Sequence, residues 1–403
     1  MRTGFWFVPL VMLALATTLA LTLLYVDQRV DPGIKASLAW AYSGGPEGAR
    51  SLLSTIAGSM ITAASVTFSL ASVALSIASQ QYGSRVLRNF MRDSITQVLL
   101  GTFISTFVYS VVVVRAIRGS DFSGGFVPAI SVTVSIALSL ASLVLLVFFI
   151  HHVSASIQAS RIVRVIAAGM ETAIPELYPS QTGEVSEGGE DDVRHRSDGT
   201  PVTIHHGGYL QSIDLDRLLK LATECDAIFE VRIRPGDHLV SGGELARLWG
   251  TISEKTIRAV GDAFLFGGER TPSQDIRFHF QQLTDVVIRS LSPGINDPFT
   301  AINGIDELAS AIALLSSRPP VAENRRDEHG ALRLIVHPVG VGQVIEETVG
   351  HIAIYAVKDR FVMAALGKVL DTIDPDLLAG PDRAAFFRQR QELDLAGQAH
   401  LVA

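Results

Sequence analysis

Apolar positions dominate the first 150 residues and fall into long, almost uninterrupted blocks. From Phe5 to Val26 the chain is apolar apart from Thr17, Thr18 and Thr22. Three further blocks cover about 52–79, 96–115 and 127–150. A bilayer core about 30 Å thick is crossed by about 20 apolar residues in a helix, and each block reaches that length once its flanks are included. The first block follows Arg2, as in a signal peptide, but it is longer than a signal core. It ends in Tyr25, Val26 and Asp27 rather than a small-residue cleavage site. The pattern therefore predicts an α-helical membrane domain over 1–150, with four transmembrane helices.

The second block carries a finer pattern. Ser51, Thr55, Gly58, Thr62, Ser65, Ser69, Ser72, Ser76 and Ser79 recur at alternating spacings of four and three. That spacing places them on one narrow seam of a helix. All are small, and all but Gly58 carry a hydroxyl. Two readings follow: close packing of helix backbones, or the lining of a water-filled path. Ser131, Ser135, Ser139 and Ser142 make a second small seam in the fourth block. No Asp, Glu, Lys or Arg is expected inside a span, with Asp27 opening the polar connection to Arg50. Coupled transporters and voltage sensors place such groups there, so passive permeation or a packing scaffold is favoured.

After residue 150 the pattern changes. His151 and His152 close the fourth block, and Ile157, Ile162, Val165 and Ile166 continue a helical period to Pro175. This predicts a helical stalk over 151–180. Residues 181–200 are polar, with an acidic cluster at Glu190, Asp191 and Asp192, and read as a flexible linker. Strand-like alternation then marks a small β-rich subdomain over 201–250. Within it Gly236, Asp237, Leu239, Gly242 and Leu245 make a G-D-x-L-x-x-G-x-x-L string. The string resembles the turn-and-strand signature of biotinyl and lipoyl domains and implies a barrel-sandwich-like subdomain. The carrier lysine between two methionines is absent.

Residues 251–403 read as a mainly helical subdomain, so the part beyond the membrane is α+β. Thr271 and Pro272 are expected to open one helix in the order cap then proline. A second begins at a sharp corner formed by Gly294, Asn296, Asp297 and Pro298. Gly294 is expected to take a backbone conformation closed to other residues. The turn chemistry alone explains the corner; a ligand at the new helix N-terminus is the alternative.

Composition sharpens this picture. The chain has 403 residues, 48% of them hydrophobic and 18% charged, with a mean hydropathy of +0.34. The net charge of -7 argues against a general nucleic-acid binder. The single cysteine, Cys225, excludes an intrachain disulfide and any cysteine-cluster metal site. Arg2, the group Arg85, Arg88 and Arg92, and Arg161 with Arg164 fall on one side of a four-span topology. The positive-inside rule then puts both termini in the cytoplasm. Arg85, Arg88 and Arg92 are candidate contacts for lipid head groups. No Walker loop, dinucleotide fingerprint, HExxH or nucleophile elbow occurs, so no cofactor, metal or catalytic residue is assigned.

The strings FSLASVALSIASQQYGSRVLRNFMRDSITQ, GYLQSID, RPGDHLVSGGEL and TPSQDIRFHFQQLTDVVIRSLSPGINDPFTAINGIDEL together resemble one bacterial family. It is the predicted membrane proteins grouped as domain of unknown function 2254. The resemblance implies a multi-pass inner-membrane protein and carries no catalytic residues to this chain. The expectation from the residues is a homo-oligomeric, passive or gated conduit for ions or small solutes, with a cytoplasmic regulatory domain. Its partners are the lipid bilayer and other copies of itself. The rival expectation is a non-conducting sensor or scaffold.

Overall fold

The computed structural model describes residues 6–29, 42–82, 94–118, 126–156, 158–179, 199–204, 206–378 and 380–402. The chain divides into two compact units, Met1–Arg161 and Ile162–Ala403.

The first unit is built from α1 (Phe7–Arg29), α2 (Pro46–Tyr82), α3 (Ser94–Ala116) and α4 (Ala129–Ser156). All four are long and apolar enough to cross a membrane. Of the apolar stretch of α3, 56% is buried against 17–22% for the other three, so α3 is the central helix. It packs against α1, α2 and α4. One cluster joins Ala20, Leu24, Leu53, Tyr109, Val113 and Val132. A second joins Met60, Ala64, Leu99, Phe103 and Phe149. Leu15, Leu143, Val144 and Val147 are exposed, and a rim of this kind suits contact with a lipid bilayer or another protein. α2 has 37 residues; at about 1.5 Å per residue it reaches roughly 55 Å, well beyond the hydrocarbon thickness.

One expectation fails in this unit. α1 does not stop at Val26 but runs on to Arg29, and Asp27 inside it is fully buried. An ionisable group is thus held within an apolar helix after all.

The second unit opens with α5 (Ala159–Leu177). The helix expected to run on from the membrane as a stalk is interrupted: α4 ends at Ser156 and Gln158 is not helical. α5 buries Ile162, Val163, Ile166, Met170 and Ile174, so it is part of this unit's core rather than a free rod. Next come β1 (Thr200–Thr203), β2 (Gly208–Ile213), α6 (Leu215–Glu224), β3 (Ile228–Val231), β4 (His238–Leu239), β5 (Glu244–Trp249), α7 (Glu254–Gly261) and β6 (Phe264–Gly267). Further on are α8 (Ile276–Ser290), α9 (Pro298–Ser316), β7 (Asn324–Arg326), β8 (Leu332–Ile335) and α10 (Val341–Ile345). A π-helical turn (Glu346–Gly350) leads into α11 (His351–Ala356), followed by α12 (Arg360–Asp371) and α13 (Gly380–Val402).

Two sheets result, in the orders β1-β5-β3-β8-β7 and β4-β2-β6. Among the described residues, only β3 and β8 pair in parallel. The sheets cross the expected boundary at residue 250: β6, β7 and β8 come from beyond it, and Phe264, Leu334 and Val336 share a core with Leu210, Phe229 and Leu248. Parallel pairing of β3 with β8 needs a long connection, and α7, α8 and α9 lie within it. α9 packs on α8 and α12 through Ala301, Gly304, Ile305, Leu308 and Ile312. It is also long and apolar enough to cross a membrane, making five candidate spans among the described residues.

The opening of α8 differs from the expectation. Its cap is Asp275, whose side chain accepts from Phe278 N, and Thr271 with Pro272 stands outside the helix. Gln274 explains the displacement. Its amide pairs with the end of β2, accepting from Ile213 N at 2.9 Å and donating to Ile213 O at 3.3 Å. The chain there is held as an extra partner of the sheet, so the helix starts later.

Candidate functional sites

The first candidate site lies on α2. Ala49, Leu53, Ala57, Met60, Ala64, Thr67 and Ala74, spaced by fours, threes and one seven, are the buried residues of the helix among those described. They turn α2 toward α3 and α4. The hydroxyl seam is on the opposite side: Ser51, Thr55, Gly58, Thr62, Ser65, Ser69, Ser72 and Ser76 are all exposed in the single chain. The side chain of Ser79 lies outside the described residues. Ile61 and Phe68 border the seam on one side, Val66, Leu70 and Val73 on the other, all exposed. Three hydroxyls are satisfied within the helix: Thr55 donates to Ser51 O, Thr62 to Gly58 O and Ser65 to Ile61 O, each at 2.9 Å.

The second small seam has the opposite fate. Ser131, Ser135 and Ser142 of α4 are fully buried, facing α3. Ser110 and Ser135 share a hydrogen bond at 2.8 Å, and Thr106 and Ser142 one at 3.3 Å. Tyr109 donates to Ser131 O at 3.0 Å. Asp27 closes the ladder: it accepts from Ile130 N at 3.2 Å and Ser131 N at 2.9 Å, and from the Ser131 hydroxyl at 2.7 Å. The carboxylate thus serves the unsatisfied N–H groups at the start of α4, where a negative charge is favoured.

The second candidate site is a charged junction within the C-terminal unit. Arg234, Pro235, Gly236 and Asp237 form a turn closed by Asp237 N donating to Arg234 O at 3.0 Å. Gly236 has φ +94°, and a Cβ there would lie 2.1 Å from Asp275 Oδ2. Only glycine fits. Asp275 is 2% exposed and accepts from Arg270 Nε at 2.8 Å. Burial pushes its carboxyl above the usual range despite the arginine. Arg277, on the first turn of α8, donates to Glu347 at 2.9 Å and to Asp237 at 3.2 Å. Burial opposes its charge, but these carboxylates outweigh burial and raise its pKa. Glu347 stands on the π-helical turn and also accepts from Gln343 at 2.8 Å. Such one-turn insertions in α-helices are frequent at functional sites.

Next to this junction is a cleft of about 770 Å³, lined by Tyr178, Arg234, Gln343, Asp382 and several prolines. Tyr178 donates to Val339 O at 2.7 Å. Burial pushes its phenol well above the usual range, Arg234 opposing and Asp382 reinforcing. Asp382 accepts from Val341 N at 3.2 Å and Gly342 N at 3.0 Å. Among the described residues, no group of three or more His, Cys, Asp or Glu is placed to hold a metal ion.

The model for the family described as "Predicted membrane protein (DUF2254)" matches residues 2–372. The chain belongs to this family. Uncharacterised proteins of Mycobacterium bovis and of Mycobacterium tuberculosis H37Rv are each 32% identical to it over 342 residues. One from Mycobacterium tuberculosis CDC 1551 is 31% identical over the same length. Each match covers 82% of this chain and 65% of the relative, so the chain spans less than two thirds of the curated proteins it matches. No solved structure matches it.

The three C-terminal strings that carry the DUF2254 resemblance meet in space. GYLQSID supplies Ile213, RPGDHLVSGGEL supplies Gly236 and Asp237, and TPSQDIRFHF supplies Gln274, Asp275 and Arg277. Arg85, Arg88 and Arg92 lie outside the described residues. At the corner, Asp297 caps α9 by accepting from Thr300 N, and Pro298 takes the first helical turn. The left-handed residue, however, is Asn296, with φ +47°, and not Gly294. A Cβ on Gly294 would meet nothing within 4 Å. Asn tolerates the left-handed region better than other side-chain-bearing residues, which is why the corner forms without a glycine there.

Sequence reasoning missed Asp27, Arg277 and Glu347. Asp27 bonds residues 103 and 104 positions away, and Arg277 and Glu347 are 70 apart. No local spacing encodes such pairs. The one available signal was the carboxylate set directly after an apolar run.

Proposed function

We propose that this membrane protein assembles with copies of itself into a passive, gated conduit for ions or small solutes. The hydroxyl seams of α2 from several copies would border the path, and the C-terminal region would regulate it. The carrying observation is the opposition of the two faces of α2. Its own chain packs on the alanine-rich face, and the hydroxyl face is left for something else. Hydrogen-bonding side chains lining a pore offer solutes partial replacement for lost water.

In this reading the chain spans the inner membrane four times with both termini in the cytoplasm. This reading keeps α9 out of the membrane, supported by Asp306 and Glu307 in its middle, with Asp306 exposed. The one-sided arginines support the orientation. Solute flux tests the activity. Liposomes holding the full chain should leak potassium or a small neutral solute, and Ser69→Leu should reduce the leak at unchanged protein content. Flux no greater than in empty liposomes, for every solute tried and across pH and ionic strength, contradicts the proposal.

A second reading has its own support. The back-bonding of Thr55, Thr62 and Ser65 leaves these hydroxyls without need of water. A seam of that kind also suits close packing between copies in a non-conducting scaffold. Under it, Ser69→Leu breaks the oligomer and no variant alters flux.

A further inference from the structure

The cleft in the C-terminal unit combines apolar walls with charged side chains, Arg318 and Glu323 among them. Its walls include Pro319, Pro320, Pro338 and Pro381, which have no N–H to offer, together with aliphatic Leu315 and Leu378. The Tyr178 hydroxyl is spent on Val339 O. Asp382 is satisfied by two main-chain N–H groups at the start of α10. Arg388 is paired with Glu346. Arg234 is different. Its guanidinium donates to the neutral Gln343 side chain at 2.6 Å, and among the described residues it has no carboxylate within 4.0 Å. Its backbone is fixed, because Arg234 N donates to Asp237 Oδ2 at 2.9 Å and the Pro235–Gly236 turn follows. A preset guanidinium fork with donors to spare, in a cleft walled partly by proline and leucine, is suited to an oxyanion. The volume, about 770 Å³, lies in the range of small-molecule sites, roughly 300–1,000 Å³.

We propose that this cleft binds a small organic oxyanion, a phosphate or carboxylate on a compact apolar body. The anion sits on Arg234 and the body against the proline walls. The inference is independent of whether the membrane helices conduct. Tyr178, one wall of the cleft, directly follows α5, the helix next in the chain after α4. A ligand seated there thus touches the segment that enters the C-terminal unit.

The test uses the full chain in phosphatidylcholine nanodiscs, with 1-naphthyl phosphate as a fluorescent probe. The expected result is saturable binding that weakens at least tenfold in Arg234→Gln and stays unchanged in Arg217→Gln, an exposed arginine outside the cleft. Inorganic phosphate, which lacks the body, and 1-naphthol, which lacks the charge, should each compete poorly. Arg234→Lys keeps the charge without the fork and should bind with intermediate affinity, which covers the case in which Arg234→Gln does not fold. Adding phosphatidic acid to the nanodiscs separates two sources of the same chemistry. Displacement of the probe points to a lipid head group, and continued binding points to a soluble ligand. No saturable binding in the wild type, or equal affinity in a folded Arg234→Gln or Arg234→Lys, overturns the proposal.

Discussion

Asp27 is an acceptor spent on a helix start. Asp27→Ala leaves the N–H groups of Ile130 and Ser131 unpaired in a buried place, at an expected cost of about 1–3 kcal/mol. The full chain in detergent should melt at a lower temperature, and an unchanged Tm would contradict the assignment. The corner gives a sharper contrast. Left-handed backbone costs an L-residue about 1–2 kcal/mol, so Asn296→Ala should destabilise while Asn296→Gly and Gly294→Ala change little. Equal losses at Gly294 and Asn296 would show that the backbone is not as described. His279 supplies a pH dependence. Burial holds its imidazole below the ordinary value. Below about 6.5 the unfolded chain takes up a proton that the folded chain refuses. That contribution is intact above the unfolded pKa and is lost as pH falls toward the folded one. Between pH 7.5 and 5.5 the wild type should lose more Tm than His279→Gln; identical losses would remove His279 as a source.

At the scale of elements, the two hydroxyl seams look alike in the sequence and end in opposite places. Periodicity assigns residues to one face of a helix but does not say which neighbour the face meets. The α4 seam is closed by Thr106 and Ser110, which sit on α3, the helix before it, and were readable only as scattered hydroxyls. The α2 seam is open. Ser135→Leu should therefore unfold the single chain, by wedging α3 from α4. Ser69→Leu should leave its melting unchanged and act only on assembly or flux. A drop in monomer Tm for Ser69→Leu would mean that the seam meets its own chain. The strands within 201–250 were legible for the same reason: alternation marks a pleated segment, whereas β6 and β7 lie in the part that read as mainly helical. Sheet membership was not, because β8 reaches β3 across a connection of about a hundred residues whose pairing no local pattern records.

For the whole molecule, the apolar blocks made the membrane-bound half readable, since a bilayer imposes length and composition on any helix that crosses it. The C-terminal half was readable in class, but the contacts that tie its two expected parts together were not, because pairs such as Arg277 with Asp237 join segments on either side of residue 250. Reporter fusions in the segments 30–41, 83–93, 119–125 and 180–198 should lie outside, inside, outside and inside; a periplasmic signal from 180–198 would end the four-span account. The most direct test of the conduit concerns water at the α2 seam. Single cysteines replace Ser65, Ser69 and Ser72, and for comparison Ala64 and Thr67 on the packed face, in a Cys225→Ser background. Intact membranes are treated with a membrane-impermeant thiol reagent, which attacks thiols only where they meet water as thiolate. The account predicts labelling at Ser65, Ser69 and Ser72 and none at Ala64 or Thr67. No labelling at any of the three seam positions, with the oligomer intact, would contradict it.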